Sequence, residues 1–161
     1  MTTFTDTEGR SWTVQVTVDA IRRVRDLTGV NLAVEATGGD LFERLAADPV
    51  LLCDILYGLV RPEADARGVS GADFGRALAG DVLEGATAAL LEGLVGFFPS
   101  GRRRLLAKAV EKMRVLEARA LEAAEARLES PQLEQEMETA LQTLGGSATA
   151  SPGSSASTPA P

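Results

Sequence analysis

Apolar positions along the chain follow two different periods. Over 10–16, Trp12, Val14 and Val16 alternate with Ser11, Thr13 and Gln15, the pattern of a strand with one buried face. Residues 3–7 carry the strand formers Thr3, Phe4 and Thr5, and Glu8-Gly9 supplies a turn, so 3–7 and 10–16 are predicted to form a β-hairpin. A lone hairpin is marginal in water, so its Trp12 face must lie on helices. From there the period lengthens. Ile21, Val24, Leu27 and Thr28 share one side of a helix that Thr17 or Asp19 can cap and Gly29 can end. Residues 30–39 read as a connector anchored by Leu32 and Val34, followed by a short helix over 40–46 with Leu41, Phe42 and Leu45.

Asp48-Pro49 is a strong helix start, a capping acid followed by proline at the first helical position. This helix is predicted to reach Leu59 or Val60 and to stop at Arg61-Pro62, with 61–69 a charged loop. Its apolar residues cover more than half its circumference, which makes it the central helix. Ser70 opens a helix over 71–79 with Phe74 and Leu78, Gly80 breaks it, and Asp81 starts another running to Phe97. Gly85, Gly93 and Gly96 lie inside that helix, each costing about 1 kcal/mol against alanine. Close helix–helix approach is the preferred explanation, and a bending helix the other.

After Pro99-Ser100-Gly101 a long helix is predicted over 101–129. Leu105, Leu106, Ala109, Val110, Met113, Leu116, Ala120, Ala124 and Leu128 form its stripe. The stripe fades into alanine, so its first half is expected to pack on the domain and its second to face solvent. Ser130-Pro131 opens an acidic helix over 131–144 with Leu133, Met137, Leu141 and Leu144. From 145 to 161 only Gly, Ser, Ala, Thr and Pro occur, a tail expected to be disordered. The expected architecture is mainly α. A small N-terminal β-hairpin packs on a helical bundle over 1–100, the long helix and the short acidic helix occupy 101–144, and the tail follows.

Composition narrows function by what is missing. The chain has 161 residues, 45% hydrophobic but only 4% aromatic, so the core is built from Leu, Val and Ala. A net charge of −7 argues against a nucleic-acid partner, which would need clustered Lys and Arg. There is no histidine, which removes the usual catalytic triads and the commonest metal ligand. No phosphate-cradling or EF-hand motif occurs, and Gly75, Gly80 and Gly85 lack the strand-turn-helix context of a dinucleotide site. Asp48 with Asp54, or Asp81 with Glu84, are the nearest approach to a carboxylate pair, but Asp48 and Asp81 read as helix caps and Glu84 as a solvated face. The expectation is therefore a non-enzyme without cofactor or metal. Lone Cys53 reads as a buried small hydrophobe and fits a reducing, cytoplasmic compartment. No signal peptide is visible in the first residues, and no stretch offers the roughly 20 clean apolar residues of a membrane span.

What remains is binding to another protein. Leu56, Tyr57, Leu59, Val60, Phe97 and Phe98 lie near predicted helix ends, where they either line a groove for a partner helix or belong to the core; taken singly, each reads more readily as core. Arg102-Arg103-Arg104 is the one basic run, either a contact for an acidic partner or a solvated face, and it opposes the dipole of the helix it starts.

Together, the hairpin from Phe4 to Trp12, Val14-Gln15-Val16-Thr17-Val18 leading into Ile21-Arg22-Arg23-Val24, the run Leu51 to Tyr57, and the segment Val69 to Phe74 with Leu78 to Leu83 resemble the tail assembly chaperones of long-tailed phages and prophages. The resemblance covers roughly residues 3–110 and rests on hydrophobic pattern without a chemical signature. It implies a protein in the cytoplasm of the bacterial host that binds the tape measure protein, keeps it soluble, helps tail-tube subunits polymerise around it, and is absent from the virion. Homo-oligomerisation stays open. The competing reading is a structural tail or connector component retained in the particle.

Overall fold

The computed structural model describes residues 1–38 and 40–145. The chain is mainly helical with one two-stranded antiparallel hairpin at its N-terminus. It divides into two compact units, Met1–Lys112 and a second beginning at Met113. The tail expected to be disordered lies outside the described residues, except Gly145.

In the first unit, β1 (Thr2–Thr5) pairs with β2 (Ser11–Val14) in the register Thr2↔Val14, Phe4↔Trp12 and Thr5↔Ser11. The strands stop short of the expected bounds: at the turn because Asp6 gathers the chain, and at the far end because Val14 pairs with Thr2, where β1 begins. The fully buried carboxylate of Asp6 accepts hydrogen bonds from the backbone N–H groups of Glu8 (3.0 Å) and Arg10 (2.9 Å), from Arg10 Nε (2.7 Å) and from Trp12 Nε1 (2.8 Å). Burial pushes this carboxyl up, but the bonds from Trp12 and Arg10, with the Arg10 charge, outweigh it and hold the carboxyl below its ordinary range. Phe4, Trp12 and Val14 are buried, and Val16 packs against them from beyond the strand. The face that alternation assigned to the core is the buried one.

α1 (Val18–Thr28) is capped by Thr17, whose side chain accepts from the Ala20 N–H, and ends at Gly29 in the left-handed conformation. Ala20, Ile21 and Val24 are buried, whereas Leu27 lies on the exposed rim. The expected connector is instead a helix, α2 (Leu32–Gly38). Once helical, Leu32 and Ala36 share the buried face four residues apart, and Val34, two residues on, is turned to solvent. α3 (Leu41–Ala47) buries Leu41 and Leu45.

α4 (Pro49–Arg67) overturns the sharpest expectation. Asp48 caps it as predicted, accepting from Val50 N and Leu51 N, both at 3.0 Å. It does not stop at Pro62, however, but continues to Arg67 and ends on Gly68 in the left-handed conformation. An interior proline deprives the carbonyl four residues earlier of its donor, at a cost of about 3 kcal/mol. That carbonyl belongs to Gly58, and it accepts instead from Arg23 Nε at 3.1 Å; Arg23 also reaches the Leu59 carbonyl at 3.3 Å. The substitute donor can approach because residue 58 has no side chain: a Cβ there would lie 2.9 Å from Val24 Cγ2 and 3.2 Å from Val24 Cα. α1 and α4 therefore cross at Gly58, and the crossing supplies the hydrogen bond that lets the helix run through its proline.

The extra turns of α4 close the hairpin edge. Glu63 Oε2 accepts from the Thr13 N–H at 2.9 Å, and Arg67 donates to the Ser11 carbonyl at 2.8 Å. Arg67 is also held by Glu63 at 2.6 Å and lies 4.9 Å over the Trp12 ring. Two side chains thus meet backbone groups that would otherwise offer a free strand edge.

α5 (Gly71–Arg76) starts on Ser70, which accepts from the Asp73 N–H and donates to its carboxylate. It carries Phe74 into the centre of an aromatic cluster, 5.2 Å from Trp12, 5.6 Å from Tyr57 and 6.3 Å from Phe4 between ring centroids. Gly80 (φ 57°) precedes α6 (Asp81–Phe97), which buries Ala86, Ala89, Leu90, Leu91 and Leu94 and lies against β1. Only one of its glycines is a close-approach site. A Cβ at Gly93 would lie 3.2 Å from Val16 Cγ2, so the approach is to the hairpin and not to a helix, while Gly85 and Gly96 face open space.

α7 (Ser100–Leu128) contributes Leu106 and Val110 to the buried set. The rest of its predicted stripe is not buried: Leu105, Leu116 and Leu128 are exposed and Met113 half-buried. In the second unit, α8 (Pro131–Gly145) follows the Ser130 turn, where Ser130 Oγ faces the Leu133 N–H at 3.4 Å. No helix among the described residues is long and apolar enough to cross a membrane.

Candidate functional site

Four of the six apolar residues proposed for a groove are buried. Leu56, Leu59, Val60 and Phe98 all belong to the core. The reason is the longer α4: Leu59 and Val60 are not at a helix end but two turns inside it. Phe98 is buried beneath the end of α6, with its ring edge-to-face against Phe97 at 5.2 Å. Tyr57 and Phe97 are half-buried. The Tyr57 ring sits between Phe74 and the Arg61 guanidinium, 5.5 Å from its centroid, and its Cε1 lies 3.3 Å from where a Cβ on Gly71 would be. The six do not form a groove for a partner helix.

The basic run separates into different roles. Arg103 donates from Nε to the Phe98 carbonyl (3.2 Å) and from its other end to the Gly96 carbonyl (3.3 Å). These are terminal carbonyls of α6, the groups a helix leaves unpaired and where positive charge is favoured. A position unfavourable for the dipole of α7 is favourable for that of the preceding helix. Arg102 and Arg104 are exposed.

The acidic positions follow suit. Asp48 is committed to its cap, and Asp54 and Glu84 are exposed. Cys53 is half-buried, not buried, and packs beside Gly75, with its Sγ 3.4 Å from where a Cβ would stand. Desolvation, with the Asp54 charge, raises its pKa, so the thiol is held protonated and poorly nucleophilic. A depression between α1 and α4 is lined by Arg23, Asp26, Leu27, Gly58, Arg61 and Asp65. The Gly58 carbonyl in it is already taken by Arg23, and Arg61 pairs with Asp65 at 3.4 Å.

The available apolar surface lies elsewhere. Leu116, Leu121 and Leu128 of α7 and Met137, Leu141 and Leu144 of α8 are each between 59% and 76% exposed. On α8, Leu133, Met137, Leu141 and Leu144 recur at steps of four, four and three, which places them in one stripe. A helix stripe with this spacing is ordinarily covered, and contiguous exposed apolar surface marks an interaction site. The rest of α8 is acidic, with Glu134, Glu136 and Glu138 and no Lys or Arg. The pattern was visible in the sequence, but its lack of cover was legible only for the far half of α7.

Compared with protein-family models, with curated proteins and with solved structures, the chain matches none. The functional reading therefore rests on the surface itself and on the pattern of the sequence.

Proposed function

We propose that the protein is a tail assembly chaperone, working by adhesion of apolar helix surface to another polypeptide. It binds the hydrophobic, helix-rich tape measure protein in the cytoplasm of the bacterial host, keeps it soluble while tail-tube subunits assemble around it, and leaves before the particle is complete. The observation that carries this reading is the uncovered apolar stripe of α8 with the exposed leucines of α7. A chaperone for amphipathic helices needs such a surface and an acidic body that keeps the complex in solution. The hydrophobic pattern over residues 3–110 supports the same family.

Co-expression tests it. The tape measure protein encoded nearby should become soluble and co-purify with this chain. Substituting Met137, Leu141 and Leu144 together by Ser should abolish that effect without unfolding the first unit. Unchanged solubility of the tape measure protein would sink the proposal. Mass spectrometry of purified particles separates it from a retained tail or connector component, which would be present in fixed stoichiometry.

A further inference from the structure

The glutamates of α8 stand in a definite relation to its apolar stripe. With about 3.6 residues per turn, Leu133, Met137, Leu141 and Leu144 share one face of this helix. Glu134 and Glu138 border that face on one side, and Glu136 borders it on the other. The far face carries Gln135, Thr139 and Gln142 and no charge. A helix charged only for solubility carries its charge on the face away from its apolar stripe. Here the charge stands where a partner lying on the stripe would meet it. All three carboxylates are exposed, and among the described residues none is in an ion pair. No Lys or Arg follows Arg127 in the sequence, so the chain beyond it supplies no base to answer them.

We propose that α8 is a selective receptor for a client helix whose own apolar stripe is bordered by Lys and Arg. This deepens the chaperone reading and rests on it, since the bound segment belongs to the client. Apolar contact along Leu133, Met137, Leu141 and Leu144 supplies adhesion, and the charges at its edges choose the partner. A cationic border pairs with Glu134 and Glu138 on one side and with Glu136 on the other. An acidic border meets like charge on both sides and is rejected. The same rule disfavours other occupants. The α8 of a second copy would set glutamate against glutamate. A helix that lies on a membrane carries Lys and Arg on its polar face, and α8 has neither.

Fluorescence anisotropy of the full chain with three synthetic helical peptides tests it. The peptides share one leucine stripe and differ only in its borders, which are Lys, Gln or Glu. The Lys-bordered peptide should bind about tenfold more tightly than the Gln-bordered one, as a few exposed ion pairs together allow, and the Glu-bordered peptide should bind most weakly. The preference should shrink with salt, because the screening length falls from about 10 Å at 0.1 M to about 3 Å at 1 M. A variant carrying Glu134→Gln, Glu136→Gln and Glu138→Gln should keep its helix content and its affinity for the Gln-bordered peptide, yet no longer prefer Lys. Glu8→Gln, Asp54→Asn and Glu84→Gln together change the net charge equally at exposed positions of the first unit and should leave the preference intact. Substituting Met137, Leu141 and Leu144 by Ser should remove binding of all three peptides.

Equal affinity for the three peptides, binding of none by the unaltered chain, or a preference that survives in the α8 glutamine variant would overturn the proposal. So would a dimer in sedimentation that the serine variant dissolves, because a second copy would then cover the stripe. Solubility of the tape measure protein is read separately. A chain that solubilises it without any peptide preference refutes the selectivity of α8 alone. A chain that prefers the Lys-bordered peptide but leaves the tape measure protein insoluble refutes the chaperone reading and keeps the receptor.

Discussion

Two buried details decide more about this fold than their size suggests. The Asp6 carboxylate gathers the hairpin turn, Arg10 and the Trp12 indole into one network. Asp6→Ala leaves the Trp12 N–H and the turn amides unanswered and should cost about 2–3 kcal/mol in denaturant unfolding, on the scale of hydrogen bonds to a charged group. The pH dependence has a definite sign. Because the folded pKa of Asp6 is lowered, its contribution is fully present above its unfolded pKa of about 3.9 and is lost as pH falls through the lower folded value. Asp6→Asn should therefore flatten the acid limb of the stability profile. A variant that loses stability below about pH 4 as steeply as the parent contradicts this assignment. The second detail is Gly58. Gly58→Ala pushes a methyl group into Val24, side chain and backbone, and should cost about 1–3 kcal/mol, as overpacking does. Neither residue was marked by the sequence. Asp6 lies in an unremarkable polar turn, and what distinguishes it is the indole of Trp12, which turn chemistry alone does not supply.

Among the elements, α4 shows where local reading holds and where it fails. Its start is written locally: Asp48 accepts from the amides two and three residues on, and Pro49 presets the backbone of the first helical position. Its end is not. The rule that proline stops a helix assumes that the orphaned carbonyl finds no donor, and here Arg23 of α1 provides one from across the crossing. A double-mutant cycle makes this quantitative. Arg23→Ala should destabilise the parent by about 1–2 kcal/mol by leaving the Gly58 carbonyl without its partner. In a Pro62→Ala background, where residue 62 regains an N–H for that carbonyl, the same change should cost less, giving a coupling of about 0.5 kcal/mol or more. Strict additivity would mean that Arg23 does not compensate for the proline. The misplaced end of α4 also misplaced the groove, since Leu59 and Val60 seemed to lie at a terminus. The connector over 30–39 failed for a similar reason: α2 is short, and its helical period is carried by Leu32 and Ala36 alone. By contrast, α1, α6 and α7 were legible almost to their ends, because caps and long apolar repeats are local signals.

Across the whole molecule, one unit buries most of its apolar residues around Trp12 and Phe74 and leaves Val18, Val34, Val50 and Leu105 exposed at separate places, while the apolar positions of α7 beyond Val110 and of α8 stay largely exposed. That contrast is the basis of the functional reading. If the exposed stripe is an adhesive surface and not part of the core, replacing Met137, Leu141 and Leu144 together by Ser should leave the unfolding midpoint of the first unit within about 0.5 kcal/mol of the parent, as surface substitutions do. Replacing the buried Leu56 or Leu90 by Ala should cost about 2–5 kcal/mol. Amide hydrogen exchange of the full chain, alone and with the tape measure protein, tests the central claim most directly. The account predicts new protection concentrated in residues 113–145, with the hairpin and α4 unchanged. Protection confined to the hairpin and α4, or none anywhere, would contradict it.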